Sequence, residues 1–297
     1  MLWGNSFSYR VFIRILRKFI CSATLGITAF LVMRSGGIDF SVDSLAALTG
    51  MIVAASSSLP IGVVFAIFIS LLIGFINGII SIKTSIKPYI VTFAMMFLIR
   101  AIAFRIPKRD ILIKVNSEYL HIQILLLIFI FGVTFFLLSR NYGIIEKKNQ
   151  NSSLVKNSNI SILYYLLSAL SAGIIGIFLT FYQGVAFPQS NTYFEVDAIM
   201  VAVLGGVFLG YAAINLISVI IAALINTMLY FFFIQSAFHT RLLVNITILL
   251  LCFIPIILRD KRFNKWIVLV ITFLFLLVPV ILHKDDILFL LGEVLFY

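Results

Sequence analysis

The chain has 297 residues, of which 62% are apolar and 11% charged, and its mean hydropathy is +1.17. Soluble domains run near half apolar and a quarter charged, and a globule of this length has too little interior to hide the surplus, so a soluble fold is excluded. The net charge of +11 reports topology rather than nucleic-acid binding, because the 22 Lys and Arg sit mostly in short gaps between apolar runs instead of on one face.

A helix needs roughly 20 apolar residues to cross the hydrocarbon core. That ruler divides the chain into ten candidate spans, 19–33, 41–57, 60–81, 89–106, 122–139, 161–182, 197–214, 215–235, 242–258 and 266–282. Period-two alternation is sustained nowhere, which argues against a transmembrane barrel. Ahead of the first span, Arg10, Arg14, Arg17 and Lys18 alternate with Val11, Phe12, Ile13, Ile15, Leu16 and Phe19. The pattern reads as an amphipathic helix in the headgroup region, or as the n-region of a signal peptide, although no small-residue cleavage site follows. The second span is weakened by Asp43 and Ser44 and the seventh by Gly205, Gly206 and Gly210, so broken or re-entrant helices are expected there.

Short-loop Lys and Arg set the orientation. With Lys83 and Lys87 in the cytoplasm, Arg34, Arg140, Lys147, Lys148, Lys156, Arg259, Lys261, Arg262 and Lys265 fall on the same side, and only Arg10 to Lys18 conflict. Asn141 to Ser161 is the longest polar stretch and divides the chain near its middle. Each half carries an Asp before a small-residue run, Asp43 to Gly50 and Asp197 to Gly206, and then an Ile-Asn pair, Ile76-Asn77 and Ile225-Asn226. Five spans separate the copies, which would therefore sit inverted.

The chain has no G-x-x-x-x-G-K-[ST] phosphate cradle, so any ATP must be used by a partner. No Ser/His/Asp set, paired carboxylates in one span or H-E-x-x-H is present, and the reading is of a non-enzyme with no catalytic residue, metal or cofactor. Cys21 and Cys252 each lie in an apolar run, and His121, His239 and His283 lie far apart at span edges. Arg100 and Arg105 fall near the outer end of their span, where snorkelling accounts for them. Small residues spaced by four, Gly74 with Gly78, Gly206 with Gly210, and Ser168, Ala172 and Gly176, mark close helix approach. Asn77, Thr92, Gln183, Asn215, Asn226 and Asn245 either line a polar pathway or bond between helices.

Ser35-Gly36-Gly37-Ile38-Asp39-Phe40-Ser41-Val42 resembles the G-G-I-D-L-S-V-G signature of permease subunits of ribose-type ABC importers. Further landmarks follow in order. Ile73-Gly74-Phe75-Ile76-Asn77-Gly78 resembles that family's G-x-x-N-G helix, Ile86-Lys87-Pro88-Tyr89-Ile90-Val91-Thr92 its K-I-P-P-F-I-V-T turn, and Phe97-Leu98-Ile99-Arg100-Ala101 its L-R-G run. Glu195-Val196-Asp197-Ala198-Ile199 with Val203-Leu204-Gly205-Gly206 resembles E-L-D-A-I-A…V-L-G-G. The likeness covers about residues 20–262. It implies an all-α polytopic permease of nine or ten spans, of the type II ABC-importer kind. One membrane domain would fill 1–297, with 263–297 an extra span and tail. Its expected place is the cytoplasmic membrane, among lipid, and its implied partners are a second permease copy or paralogue, two ATP-binding subunits and an extracytoplasmic solute-binding protein.

The motif residues have physical readings. Gly36 and Gly37 permit a tight turn at the membrane boundary, and Asp39 or Ser41 is placed to cap the next helix. Pro88 suits a first helical turn, and Glu195 and Asp197 suit an external helix start. Tyr142, Gly143, Leu154, Val155 and Ile160 belong to the loop expected to meet the ATPase. The family's opening span is missing, which predicts an upstream start or a truncated gene. Its G-G-N corresponds to Gln150-Asn151-Ser152, and its G-G-x-G to Gly210-Tyr211-Ala212-Ala213. Three other readings stand beside that of a sugar permease: a nucleoside permease of related type, an ion-coupled carrier and an inactive permease.

Overall fold

The computed structural model describes residues 9–106, 132, 158–189, 194–205 and 216–232. These residues form α1 (Tyr9–Arg34), α2 (Val42–Ala55), α3 (Leu59–Lys83), α4 (Pro88–Arg105), α5 (Ser158–Gln183), α6 (Phe194–Leu204) and α7 (Leu216–Phe232), with no strand among the described residues. Helices α1, α3, α4 and α5 are long and apolar enough to cross a bilayer, so the chain is a multi-pass membrane protein. The expected spans at 122–139, 242–258 and 266–282 lie outside the described residues.

Local chemistry sets the helix limits. Pro60 and Pro88 occupy the first turns of α3 and α4, where a missing N–H leaves no bond unmade. Helix α1 stops where Gly36 turns to φ +84°, a left-handed conformation that side chains resist. There the Gly36 N–H donates to the Met33 carbonyl and the Gly37 N–H to that of Val32, at 2.9 and 3.1 Å. The basic segment from Arg10 to Lys18 is continuous with the first span in one 26-residue helix.

Beyond Gly37 the chain runs without helical structure to Ser41, and Gly37, Asp39 and Ser41 are buried. Irregular backbone at that depth requires protein around it, and α3, α4 and α5 supply it. Helix α2 is then only 14 residues long, roughly 21 Å at 1.5 Å per residue, against a hydrocarbon core of about 30 Å. It is a partial span that starts inside the bundle.

Two three-helix packings make up the described core, and each borrows a helix. Helix α5, from the second half of the sequence, packs on α2 and α3 of the first, whereas α1 packs on α6 and α7 of the second. Contacts between α1 and α5 join the two sets. Close approach of α3 to α5 depends on the small residues: a Cβ on Gly74 would meet the Ala169 Cβ at 2.6 Å, and one on Gly78 the Ile162 Cα at 3.2 Å. The outer faces of α3 and α4 expose Phe65, Phe68, Phe75, Phe93, Phe97 and Ile102, an apolar surface suited to lipid.

Candidate functional site: a polar seam at the starts of two short helices

A line of polar side chains passes through the interior along the non-helical segment and the start of α2. Thr92 of α4 donates its hydroxyl to the Ile38 carbonyl at 2.7 Å. One oxygen of Asp39 accepts from the Ser41 N–H and hydroxyl at 2.9 and 2.6 Å, and the other accepts from Ser168 of α5 at 2.8 Å. Asn77 of α3 donates its amide to the Ser41 hydroxyl at 3.0 Å. Four elements, the non-helical segment and α3, α4 and α5, thus meet at one hydrogen-bonded node, and Asp39, Ser41, Asn77, Thr92 and Ser168 are all buried.

Ser41 stands at the N-cap position, but its side chain makes no cap bond. The capping expected of Asp39 or Ser41 is therefore replaced by the Asp39 network. The carboxylate is drawn there because a buried charge is tolerated only with several donors, and Ser41 and Ser168 provide three.

Further along α2, Arg100 donates to the Asp43 carboxylate and to the Pro188 carbonyl in the segment between α5 and α6. Arg100 stands five residues, roughly 8 Å, from the far end of α4, yet its side chain turns to these partners instead of following the helix outward. Its side chain is 21% exposed and that of Asp43 1%. The snorkelling expected of Arg100 is thus corrected to an inward ion pair. Glu195, half-buried in the first turn of α6, lies within electrostatic reach of both Arg100 and Asp43.

Asp197 is not at an external helix start in contact with water. It is buried and pairs with Lys18 of α1 at 2.6 Å. Lys18 also lies 4.8 Å from the centre of the Tyr230 ring and 5.1 Å from that of Phe194, and the Arg17 guanidinium sits 3.3 Å over Tyr182. The misplaced basic cluster of the topology argument therefore has partners at the same end of the bundle. The Asn226 amide of α7 approaches the Ser22 hydroxyl of α1 at 3.4 Å.

Of the motif residues singled out in the sequence, Gly37, Asp39, Ser41, Asn77, Pro88 and Thr92 meet around the node. Gly37 is pressed against Tyr165 and Pro88, so that no Cβ fits. Arg100, Glu195 and Asp197 join Asp43 in the charged part. Gly36 forms the α1 terminus away from the seam, and Gly205 lies against Val219 of α7. Ile160 begins the packed part of α5, whereas Tyr142, Gly143, Leu154, Val155 and Gly206 lie outside the described residues. Sequence reasoning missed Lys18, Ser22 and Ser168. The signal for the first was an unmatched Asp in each apolar run, since each requires a cation at the same depth.

A bundle of membrane helices with a partial span, a buried non-helical segment and a buried polar seam has the architecture of a transport permease rather than of an enzyme. The chain belongs to the family described as the permease component of branched-chain amino acid transport systems, which it matches over residues 11–279. It is 30% identical to the galactofuranose transporter permease of Escherichia coli K12, over 72% of this chain and 69% of that protein. It is 27% identical to the ribose import permease of Haemophilus influenzae, over 76% of this chain and 77% of the relative. With the L-arabinose ABC transporter permease of Azospirillum brasilense it shares 25% identity, over 68% and 66%. No solved structure matches the chain.

Proposed function

We propose that the chain is the membrane-spanning permease subunit of an ABC importer for a monosaccharide or similar small polyol. The observation that carries this reading is the similarity across most of the chain to permeases named for galactofuranose, ribose and L-arabinose. The seam agrees with it. Lys18 and Arg100 are already opposed by carboxylates, and the polar groups left along the seam are hydroxyls, amides and carboxylate oxygens, which suit an uncharged, hydroxyl-rich solute.

In this reading 1–297 is one permease domain in the cytoplasmic membrane, paired with a second copy or a paralogue. Two ATP-binding subunits sit inside, and a solute-binding protein delivers the sugar outside. Gly36, Gly37, Asp39, Ser41, Asn77, Pro88, Thr92, Arg100, Glu195, Asp197, Gly205 and Gly206 shape the pathway. The loop with Tyr142, Gly143, Leu154 and Val155, which leads into α5 at Ile160, transmits ATPase closure, because a two-state opening must be biased by a contact that differs between the states.

Reconstitution of the permease with its ATPase and binding protein in liposomes tests this. Uptake of a labelled monosaccharide should require ATP and the binding protein, and Leu154→Asp with Val155→Asp should abolish sugar-stimulated hydrolysis without affecting membrane insertion. The buried Asp43 and Asp197 also supply the intramembrane carboxylates that an ion-coupled carrier needs. Uptake driven by an ion gradient in ATPase-free vesicles would select that second reading.

A further inference from the structure

Four oxygens along the seam are buried without a hydrogen-bond donor: Asp43 Oδ1, Ser44 Oγ, Asn77 Oδ1 and Glu195 Oε2. Asp43, Ser44 and Asn77 are 1%, 0% and 0% exposed. An acceptor buried in this way costs about 1–3 kcal/mol, and folded proteins leave few of them without a reason.

Local packing does not provide one. The Asn77 amide already serves Ser41, so its carbonyl oxygen is the surplus half. Asp43 gives one oxygen to Arg100 and keeps the other. Ser44 follows Ser41 by one helical turn on α2, which places its hydroxyl on the same face as the node. Glu195 lies within electrostatic reach of Arg100 and Asp43, in the first turn of α6.

We propose that Asp43, Ser44, Asn77 and Glu195 are the solute-contact set of the pathway, and that they select an uncharged polyhydroxylated solute by accepting its O–H groups. This rests on the permease reading above and assigns that reading its specificity residues. An acceptor row favours hydroxyl donors. A phosphorylated or carboxylated solute would instead meet carboxylates beside a cation, Arg100, that is already engaged. Occupation requires α2 and α6 to part at their starts, which would give each surplus oxygen a donor at the moment when the Arg100 contacts loosen.

The test is maximal ATP-driven uptake by the reconstituted importer at saturating binding protein, with D-ribose, L-arabinose, D-galactose and their single-deoxy derivatives as probes. Ser44→Ala should slow the fastest-carried sugar about three- to tenfold, the effect of one lost neutral hydrogen bond, and Ser44→Thr should restore it. One deoxy derivative should be carried equally by wild type and Ser44→Ala. The unfolding midpoint of Ser44→Ala should not fall, because the hydroxyl removed is one that lacks a partner in the closed bundle. Should Ser44→Ala fail to assemble, Glu195→Gln, which leaves the Asn77–Ser41 bond intact, gives the same comparison. Equal rates for every sugar in both variants would show that the oxygens are satisfied by water alone, and would overturn the assignment. If the wild-type importer carries no sugar at all, the sugar reading fails instead, and this assignment with it.

Discussion

The packing of α5 on α2 and α3 and that of α1 on α6 and α7 start from the same pattern, an Asp at the head of a short helix and an Asn in the helix that follows. They are held together differently. In the first, Gly74, Gly78, Gly173 and Gly176 bring backbones into contact, Thr49 bonds the Gly173 carbonyl at 3.2 Å, the hydroxyls and amide around Asp39 stitch the rest, and the one cation, Arg100, comes from α4 outside the trio to meet Asp43. In the second, the long cationic side chains of Arg17 and Lys18 reach a carboxylate and aromatic faces. A repeated motif therefore specifies where polar groups must be matched. The facing helix specifies the chemistry that matches them.

The sharpest way to break the comparison is to remove one member of the Lys18–Asp197 pair. Lys18→Met or Asp197→Ala alone takes the ion-pair partner from a buried charge and should cost about 3–5 kcal/mol, whereas Lys18→Met with Asp197→Leu should recover most of that loss. Unfolding midpoints of the protein in nanodiscs would read both. A single variant that unfolds like wild type would mean that the pair is solvated.

The glycine side should fail by a different route. Gly74→Leu drives a side chain into Ala169 and the α5 backbone, and overpacking of that kind costs about 1–3 kcal/mol. The loss should appear as a lower yield of folded protein that no second-site charge change repairs. Gly26→Leu on α1, which meets Val201, extends the same test to the cationic packing.

A smaller effect is expected at Arg17. Tyr182→Leu removes the ring beneath the guanidinium and should cost about 0.5–2 kcal/mol, with Tyr182→Phe close to wild type in the same unfolding measurement. The smallest belongs to Asn226→Leu. It loses one long amide contact to Ser22, and bonds between membrane helices average about 0.6 kcal/mol. An effect above that of Tyr182→Leu would show that Asn226 holds a larger network than the Ser22 contact.

Much of the architecture was legible in one dimension because the bilayer imposes a length scale. Apolar runs separated by Lys, Pro and Gly predicted α3, α4 and α5 to within a few residues, and Asp43 with Ser44 signalled the partial span that became α2. The turn at Gly36 and Gly37 and the close approach at Gly74 and Gly78 were readable for the same kind of reason: only a residue without a Cβ meets those demands. Burial depth was not readable, since an Asp at a helix start has the same local sequence whether it faces water or the interior. The tertiary structure alone decided that Asp197 meets Lys18, 179 residues away, that Arg100 turns inward to Asp43, and that Ser168 completes the Asp39 node. Each of these is a pairing across helices, set by which faces pack together. Hydropathy along a single chain determines which segments enter the membrane, whereas partner choice inside it depends on three-dimensional proximity in a medium where an unmatched charge is too costly to leave.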